Sequence, residues 1–562
     1  MKSNGLKCLI TCATVVLATA SNAAAQKITD QRIADLIREA ALRAGVETTA
    51  ATALPTAQSA AGQGDRPTVR LSLDDTIKLA LDRNLDISVQ RLNPQTFDFS
   101  LASLRSVYRP TLTSAIGSSS NVQIPQNQSQ GGIPAGQKGI TAGTAIYNGG
   151  LGQTLPWGGG TLAVTLNHQK GTTDSTISTI NPSFVTTYQA QVTQPLLRNF
   201  KIDNTRQQIV VTKLNQDISE IQLQATIINT LSNVRNAYWD YVFAVQSVEV
   251  ARRSVALADQ LVNDNRTRVE VGTMAPIDVI QAQSQAATQR QNLAIAEGTR
   301  RTNELSLKRL IVSGTDDPNW SATIDPLDRP GFEAVTVDLT AAVRRALDVR
   351  TDLAQVRKNL EVNNVTLKYL KNQTMPQADL VARYGVQGRG GTFITRAPGF
   401  GGAVLSTTPG GFVDAFSTMF ANDFPTWNVQ VNVTYPIGTS TQEASYARAR
   451  LQSNQVEAQL KQIELQIATD VTNAATNVQN NIERVQAAQA AREFAQKQYE
   501  AEQSKFEVGM STNYFVVQSQ RDLATAQNNE LSAILAYRRS VVELERLQQT
   551  STSSANITIL GR

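Results

Sequence analysis

Apolar positions along this chain recur at two different periods. Leu460, Ile463, Ile467, Val471, Ala474, Val478, Ile482 and Val485 step by 3, 4, 4, 3, 4, 4 and 3, the spacing of a helix that packs along one stripe, as in a coiled coil. The run predicts a helix of about 60 residues, roughly 90 Å at ~1.5 Å per residue, and it carries too many charges to cross lipid. Elsewhere the period is two. Val429, Val431, Val433 and Tyr435 alternate with Gln430, Asn432 and Thr434, and Thr186, Tyr188, Ala190 and Val192 with Thr187, Gln189 and Gln191. One apolar and one polar face is the signature of a strand. Leu380, Ala382, Tyr384 and Val386 alternate less cleanly, as does the run from Thr111. Leu162, Val164 and Leu166 suggest one more strand after the turn Pro156-Trp157-Gly158-Gly159-Gly160. About four main strands are expected, with segments 117–160 and 388–426, rich in Gly, Ser, Gln and Pro, as long loops.

The pattern is duplicated. LSLDDTIKLALDRNLDI (71–87) resembles VDLTAAVRRALDVRTDL (337–353), with Leu73 on Leu339, Ala80-Leu81-Asp82 on Ala346-Leu347-Asp348, Asp86 on Asp352 and Pro110 on Pro376. Each half should start with a helix of about 35 residues that stops before a proline. Strands follow, ending at Pro195 and Pro436, and then a very long helix. Each long helix is broken at a glycine, in VEVGTMAPIDV (269–279) and FEVGMSTNYFV (506–516). Glycine readily takes the left-handed conformation that ends a helix, and Pro276 suits the first position of the next. Both halves therefore predict a long antiparallel helix pair whose tip is a Val-Gly turn. The offset between the two turn glycines, 237 residues, also aligns Gln281 with Gln518, Gln283 with Gln520 and Arg309-Leu310 with Arg546-Leu547 without a gap.

The N-terminus alters the picture of where the chain works. Lys2 and Lys7, the apolar run Leu9 to Ala20 and Ala23-Ala24-Ala25 read as a secretory leader with a small-residue cleavage site. Cys8 and Cys12 are the chain's two cysteines and both lie in it, so no disulfide framework or thiolate metal site is expected in the mature protein. Cys12 would be the anchor of a lipoprotein, but Ile-Thr-Cys-Ala is a poor lipidation sequence. Ile33, Leu36, Ile37 and Ala40 suggest a short amphipathic helix, and Ala51 to Pro67 a linker. The expected divisions are a leader at 1–25, helix and linker at 26–70, a first repeat at 71–315, a linker at 316–336, a second repeat at 337–550 and a tail at 551–562. No mature segment has 18 consecutive apolar residues, so no transmembrane helix is expected.

Composition excludes more than it identifies. Aromatic residues make up 6% of the 562, which suits long helices packed side by side better than one large core. The formal charge is +5, or +3 once Lys2 and Lys7 leave with the leader, and it is not clustered as a nucleic-acid surface would be. His168 is the one histidine; it falls in a strand beside a polar loop and reads as an ordinary strand or loop residue. No Ser/His/Asp set, metal spacing or phosphate loop is visible. The Gly pairs at 390–391, 401–402 and 410–411 read as loop glycines. An enzyme, a cofactor and a metal are therefore not expected.

Four strands cannot close a membrane barrel, which needs about eight or more, and an open edge in lipid leaves backbone groups unsatisfied. Strands in a membrane would have to be shared between several chains, with the helices hanging below as a collective tube. The paired starts at 71–87 and 337–353, VTQPLL (192–197), VTYPIG (433–438), FPTWNVQVNVTYPIG (424–438) and the two Val-Gly tips together resemble the TolC family of outer-membrane efflux and secretion channels over roughly residues 70–550. The resemblance implies a mainly α fold with membrane β: long antiparallel helical hairpins forming an α-barrel tunnel, and four strands per chain in a 12-stranded barrel shared by a homotrimer. It implies as partners outer-membrane lipid, a periplasmic adaptor (membrane fusion) protein and an inner-membrane RND-type pump or ABC exporter. It places Val271, Gly272, Thr273, Val508, Gly509 and Met510 at the adaptor-docking tips. Asp278 matches the family's acidic position beyond the first tip. Phe515 and Gln518 stand where the family has the acids of its aperture ring, and Ser511 where it has a basic residue. Gating is accordingly expected to rest on Phe515 or Tyr514.

Two other readings compete. An exported periplasmic or surface coiled-coil protein without a pore would explain the heptad-like runs but not the strands placed between helices in both halves. An adaptor of the same pumps has a long hairpin too, but one rather than two, with a lipoyl-like domain that this chain lacks.

Overall fold

The computed structural model describes residues 67–123, 139–175, 177–329, 331–399, 402–438 and 440–550. The leader, the helix expected around Ile33–Ala40, most of the following linker and the tail 551–562 lie outside the described residues.

Each half opens on a capped helix pair. In the first, β1 (Thr68–Leu71) leads into α1 (Leu73–Arg83) and α2 (Leu85–Ser106). The Ser72 hydroxyl accepts from the Asp75 amide, and Asp74 and Asp75 favour the positive end of the helix. The single helix expected here is two, because Asn84 leaves helical geometry (ψ 126°) and its side chain accepts from the Asp86 and Ile87 amides. That residue ends one helix and caps the next. Its Nδ2 donates to the Leu310 carbonyl, which fixes the corner against the first hairpin. The second half repeats the corner at Arg350 (ψ 129°), between its own two helices.

The first half continues with four strands, β2 (Thr111–Gln123), β3 (Ile140–Thr154), β4 (Thr161–Thr173) and β5 (Ile180–Pro195), then α3 (Asn204–Glu270) and α4 (Pro276–Ile311). A short α5 (Pro318–Ser321) and β6 (Thr323–Pro326) follow, and β6 pairs in parallel with β1. These two four-residue strands, which fall in segments expected as linkers, are too short to display a period. The second half comprises α6 (Leu339–Val349), α7 (Thr351–Gln373), β7 (Gln377–Arg396), β8 (Val404–Thr408), α8 (Phe412–Phe420), β9 (Pro425–Thr434), α9 (Thr441–Glu507) and α10 (Asn513–Leu547). Both α3 and α9 have 67 residues, about 100 Å at ~1.5 Å per residue. Ser440 and Glu443 form a reciprocal capping box at the start of α9. The stripe read on α9 is the core. Ile467, Val471, Ala474, Val478, Ile482 and Val485 are buried with Val234, Tyr238 and Val242 of α3, Leu307 and Ile311 of α4, and Ile534 and Tyr537 of α10. Ala80 of α1 and Ala346 of α6, the alanines aligned by the repeat, are both fully buried there. No described helix is long and apolar enough to cross a membrane.

The large sheet has seven strands rather than four, in the order β2-β3-β4-β5-β7, with both β8 and β9 on the far edge of β7. The expected loop 117–160 holds the end of β2 and all of β3. The expected loop 388–426 holds the end of β7, β8, α8 and the first residues of β9. Alternation is hidden in β3 because Gly, Ala and Thr occupy both of its faces. Its neighbours β2 and β4 nonetheless supply thirteen paired positions each, which is what makes it a strand.

The first Gly pair and the third are also not loop residues in the expected sense. Gly390 and Gly391 are in β7, and Gly411 is the N-cap of α8. A Cβ on Gly388 would lie 1.9 Å from the Ala415 carbonyl oxygen, and one on Gly390 2.4 Å from that of Gly411. Bare backbone at these two positions is what lets α8 lie directly on the sheet.

Candidate functional site

Two regions carry the functional geometry, and the first is the sheet. Its register divides the side chains into two populations. Leu112, Leu151, Val164, Ala190, Tyr384 and Trp427 stand side by side across β2, β3, β4, β5, β7 and β9. The adjacent row on the other face is Thr113, Gly150, Thr165, Gln189, Gly385 and Thr426. One row further towards the helices, that second face carries Thr111, Gly152, Ala163, Gln191, Arg383 and Asn428. One face is thus apolar over six strands and the other polar, as in a wall between hydrocarbon and water. Pairing also leaves two edges. Among the described residues β2 pairs only with β3, and β9 only with β7.

His168 lies on the apolar face, nearly fully buried, with Nδ1 2.7 Å from the Thr186 hydroxyl. Its ring sits 4.5 Å from that of Phe412 and 5.5 Å from that of Phe416 of α8. It anchors that helix to the sheet, in keeping with a structural rather than chemical role. The outward side of α8 remains apolar, with Val413 and Phe420 exposed.

The second region is where the two helical hairpins turn. Gly272 (φ 80°) and Gly509 (φ 78°) adopt the left-handed conformation. The Gly272 amide donates to the Val269 carbonyl and the Thr273 amide to that of Arg268 (both 2.9 Å). The Gly509 and Met510 amides repeat this with Phe506 (3.2 Å) and Lys505 (2.8 Å). Both are the Schellman closure, in which glycine lets the chain turn while the last carbonyls stay bonded. The duplicated Val-Gly sequences are therefore the same turn built twice. Around it Val271, Val508 and Met510 are 73%, 71% and 79% exposed.

The tips lie beside each other and are tied together by residues that the sequence reading did not single out. Asn265 of α3, fully buried, donates from Nδ2 to Asn513 Oδ1 (2.9 Å), and Asn513 donates to the Asp278 carbonyl (3.2 Å). Arg268 donates to the Phe506 carbonyl (3.1 Å) and lies 4.3 Å from the centre of the Phe506 ring. Nearby, Arg521 donates to Gln285 (2.7 Å). Leu261, Ala282, Phe506, Val516, Val517 and Leu523 form a small apolar core beneath the tips. Burial pushes the Tyr499 phenol up from its ordinary value. Asn265 Oδ1 and Gln285 Nε2 have no partner among the described residues. The one signal in the sequence was position: Arg268 and Phe506 stand four and three residues before their turn glycines.

Of the expected aperture residues, Asp278 contributes its backbone to this clasp. Tyr514 and Phe515 are exposed, their rings packed edge to face at 5.6 Å, and Gln518 donates to Asp522 (2.9 Å). Ser511 donates to Glu502 (2.9 Å). The Lys505 ammonium, and after it the Ser511 hydroxyl, hold the Glu502 carboxyl below its ordinary range. No group of three or more metal-ligating side chains occurs among the described residues.

Comparison with known proteins gives one family match and a set of structures of like fold. The family model described as "Outer membrane efflux protein" matches residues 161–312 and 342–548. No curated protein sequence matches significantly. Among solved structures, CusC superposes with a TM-score of 0.61 at 14% identity, covering 88% of this chain and 96% of its own. A membrane protein from Pseudomonas aeruginosa gives 0.60 at 14% identity, over 85% of this chain and 92% of the other. The CmeC outer membrane channel of Campylobacter jejuni gives 0.58 at 13% identity, over 87% and 90%. At such identities the likeness is one of fold.

Proposed function

This chain belongs to the outer membrane efflux protein family and resides in the outer membrane, extending into the periplasm; from that premise we propose that three copies assemble into a passive exit duct of a tripartite efflux or type I secretion system. The observation that carries the proposal is the two-faced sheet with two open edges. In hydrocarbon every backbone donor and acceptor must be paired, so β2 of one copy and β9 of the next are the natural partners. Five of the seven strands have 13 residues or more and β9 has 10, against the ~9–11 needed to span a bilayer. With six such strands per chain, three copies would close a barrel of eighteen rather than the twelve expected from four. The apolar face would meet lipid and the polar face would line the lumen.

The two hairpins of each copy would then project into the periplasm. Val271, Gly272, Thr273, Val508, Gly509 and Met510 are the proposed docking surface for a periplasmic adaptor. Exposed apolar side chains gathered at a helix turn suit a protein partner. An inner-membrane RND-type pump or ABC exporter would supply the energy. Asp278, Tyr514, Phe515 and Gln518 would border the periplasmic mouth, its gating resting on the aromatic pair.

The test is Gly272→Pro and Gly509→Pro. Proline cannot reach φ near +80° and lacks the amide that closes the turn. Adaptor-dependent export should fall in both variants while the oligomer still assembles, because sheet and core are remote from the tips. Normal export by both would show that the tips are not the docking sites.

A further inference from the structure

The polar face of the sheet is not electrically neutral, and its charge bears on what the duct favours. The inference rests on the reading above, in which that face lines the lumen. Strands β2, β3, β5, β8 and β9 contain no charged residue. On β4 the single formal charge, Lys170, is in register with Phe184 on the apolar face. That leaves β7. Asp379, Arg383 and Arg389 fall on its polar face, in register with Pro195, Gln191 and Val185 of β5. Arg383 and Arg389 are both exposed, and no carboxylate pairs with either among the described residues. The Arg383 guanidinium is laid against the wall by two hydrogen bonds to Gln191 Oε1, 3.2 and 2.9 Å long. Its other row neighbours, Ala163 and Asn428, are uncharged.

Distance decides whether Asp379 cancels these cations. Four residues separate it from Arg383 and ten from Arg389, roughly 13 and 33 Å along a strand at ~3.3 Å per residue. Both exceed the Debye length of about 10 Å at 0.1 M salt. Arg383, with no carboxylate in register on either neighbouring strand, therefore acts on the solution beside it as an uncompensated positive charge. Arg389 is the weaker of the two, because Asp423 stands two residues before β9, next to the Phe424 that accepts from the Gln387 amide. Three copies would set two rings of arginine around the lumen. Rings of arginine or lysine favour anions in pores.

The geometry points to an anion-preferring outer-membrane segment, with Arg383 and Arg389 as its selectivity residues and negatively charged solutes as the favoured cargo class. The purified full-length oligomer in planar lipid bilayers, under a KCl gradient, tests this through the reversal potential. The wild type should pass chloride in preference to potassium, more so as salt is lowered. In R383Q/R389Q the chloride-to-potassium ratio should fall by roughly twofold or more, and R383K/R389K should retain it, since lysine keeps the charge but not the fork to Gln191. A cation-preferring wild type, or an unchanged ratio in R383Q/R389Q channels that still conduct, would overturn the inference and leave the duct standing. Absence of conductance from every assembled oligomer would overturn the duct and the inference with it.

Discussion

Asn265 and Asn513 are amides buried at the tips of two hairpins, and their hydrogen bond joins helices 248 residues apart in the chain. It is a neutral clasp. With Asn265 Oδ1 unpartnered among the described residues, it is also incompletely satisfied, and such groups weaken the region that holds them. Asn513→Ala would remove the nearer acceptor of Asn265 and the nearer donor to the Asp278 carbonyl, leaving only the 3.5 Å contact between Asn265 and that carbonyl, at a cost of about 1–3 kcal/mol. Local opening of the tips should become more frequent by roughly fivefold to a hundredfold. Limited trypsin digestion reads this directly, since Arg268 and Lys505 both lie in the last turns before the glycines. Cleavage there should speed up while the buried core resists as before. Unchanged cleavage would mean that the apolar cluster alone holds the tips.

At the scale of elements, what could be read from the sequence was whatever one period controls. The α9 stripe was legible because a helix packed along one side needs an apolar residue every three or four positions, and each position from Ile467 to Val485 named in that stripe is buried. The alternation in β5 and β9 was legible for the corresponding reason. The Val-Gly turns were legible because only a positive φ explains glycine twice at the same place. The rest depended on neighbours. Strand β3 is defined by β2 and β4 rather than by its own residues. The break at Asn84 depends on a side chain that caps from within an otherwise helical pattern, and the Asn265–Asn513 contact on a packing that no local pattern encodes. Helix α8 shows the point most sharply, since it sits where Gly388 and Gly390 leave room. Gly388→Ala would set a Cβ 1.9 Å from the Ala415 carbonyl and 2.7 Å from the Met419 amide, so the helix would have to move, at about 1–3 kcal/mol or more. Gly149→Ala, on the same face with nothing within 4 Å, is the matched control. Thermal loss of the sheet's circular-dichroism signal should come earlier in Gly388→Ala and be nearly unchanged in Gly149→Ala. Equal behaviour of the two would show that α8 is not held where Gly388 permits.

For the whole molecule the governing fact is that one chain leaves its two-faced sheet open at both edges. A wall with an apolar face over six strands cannot rest in lipid with the edges of β2 and β9 exposed, and closure within one chain would need those edges to meet each other. Sharing the barrel between copies, as proposed, would meet the same requirement and would bring the hairpins of all copies together beneath it, tying the polar face, the tips and the proposed partners into one conduit. The mass of the particle extracted from the outer membrane in mild detergent, measured by size exclusion with light scattering, tests this most directly. The account predicts a particle of three chains. A stable single chain in the same detergent would contradict it, because the sheet would then have to close or be capped without a neighbour.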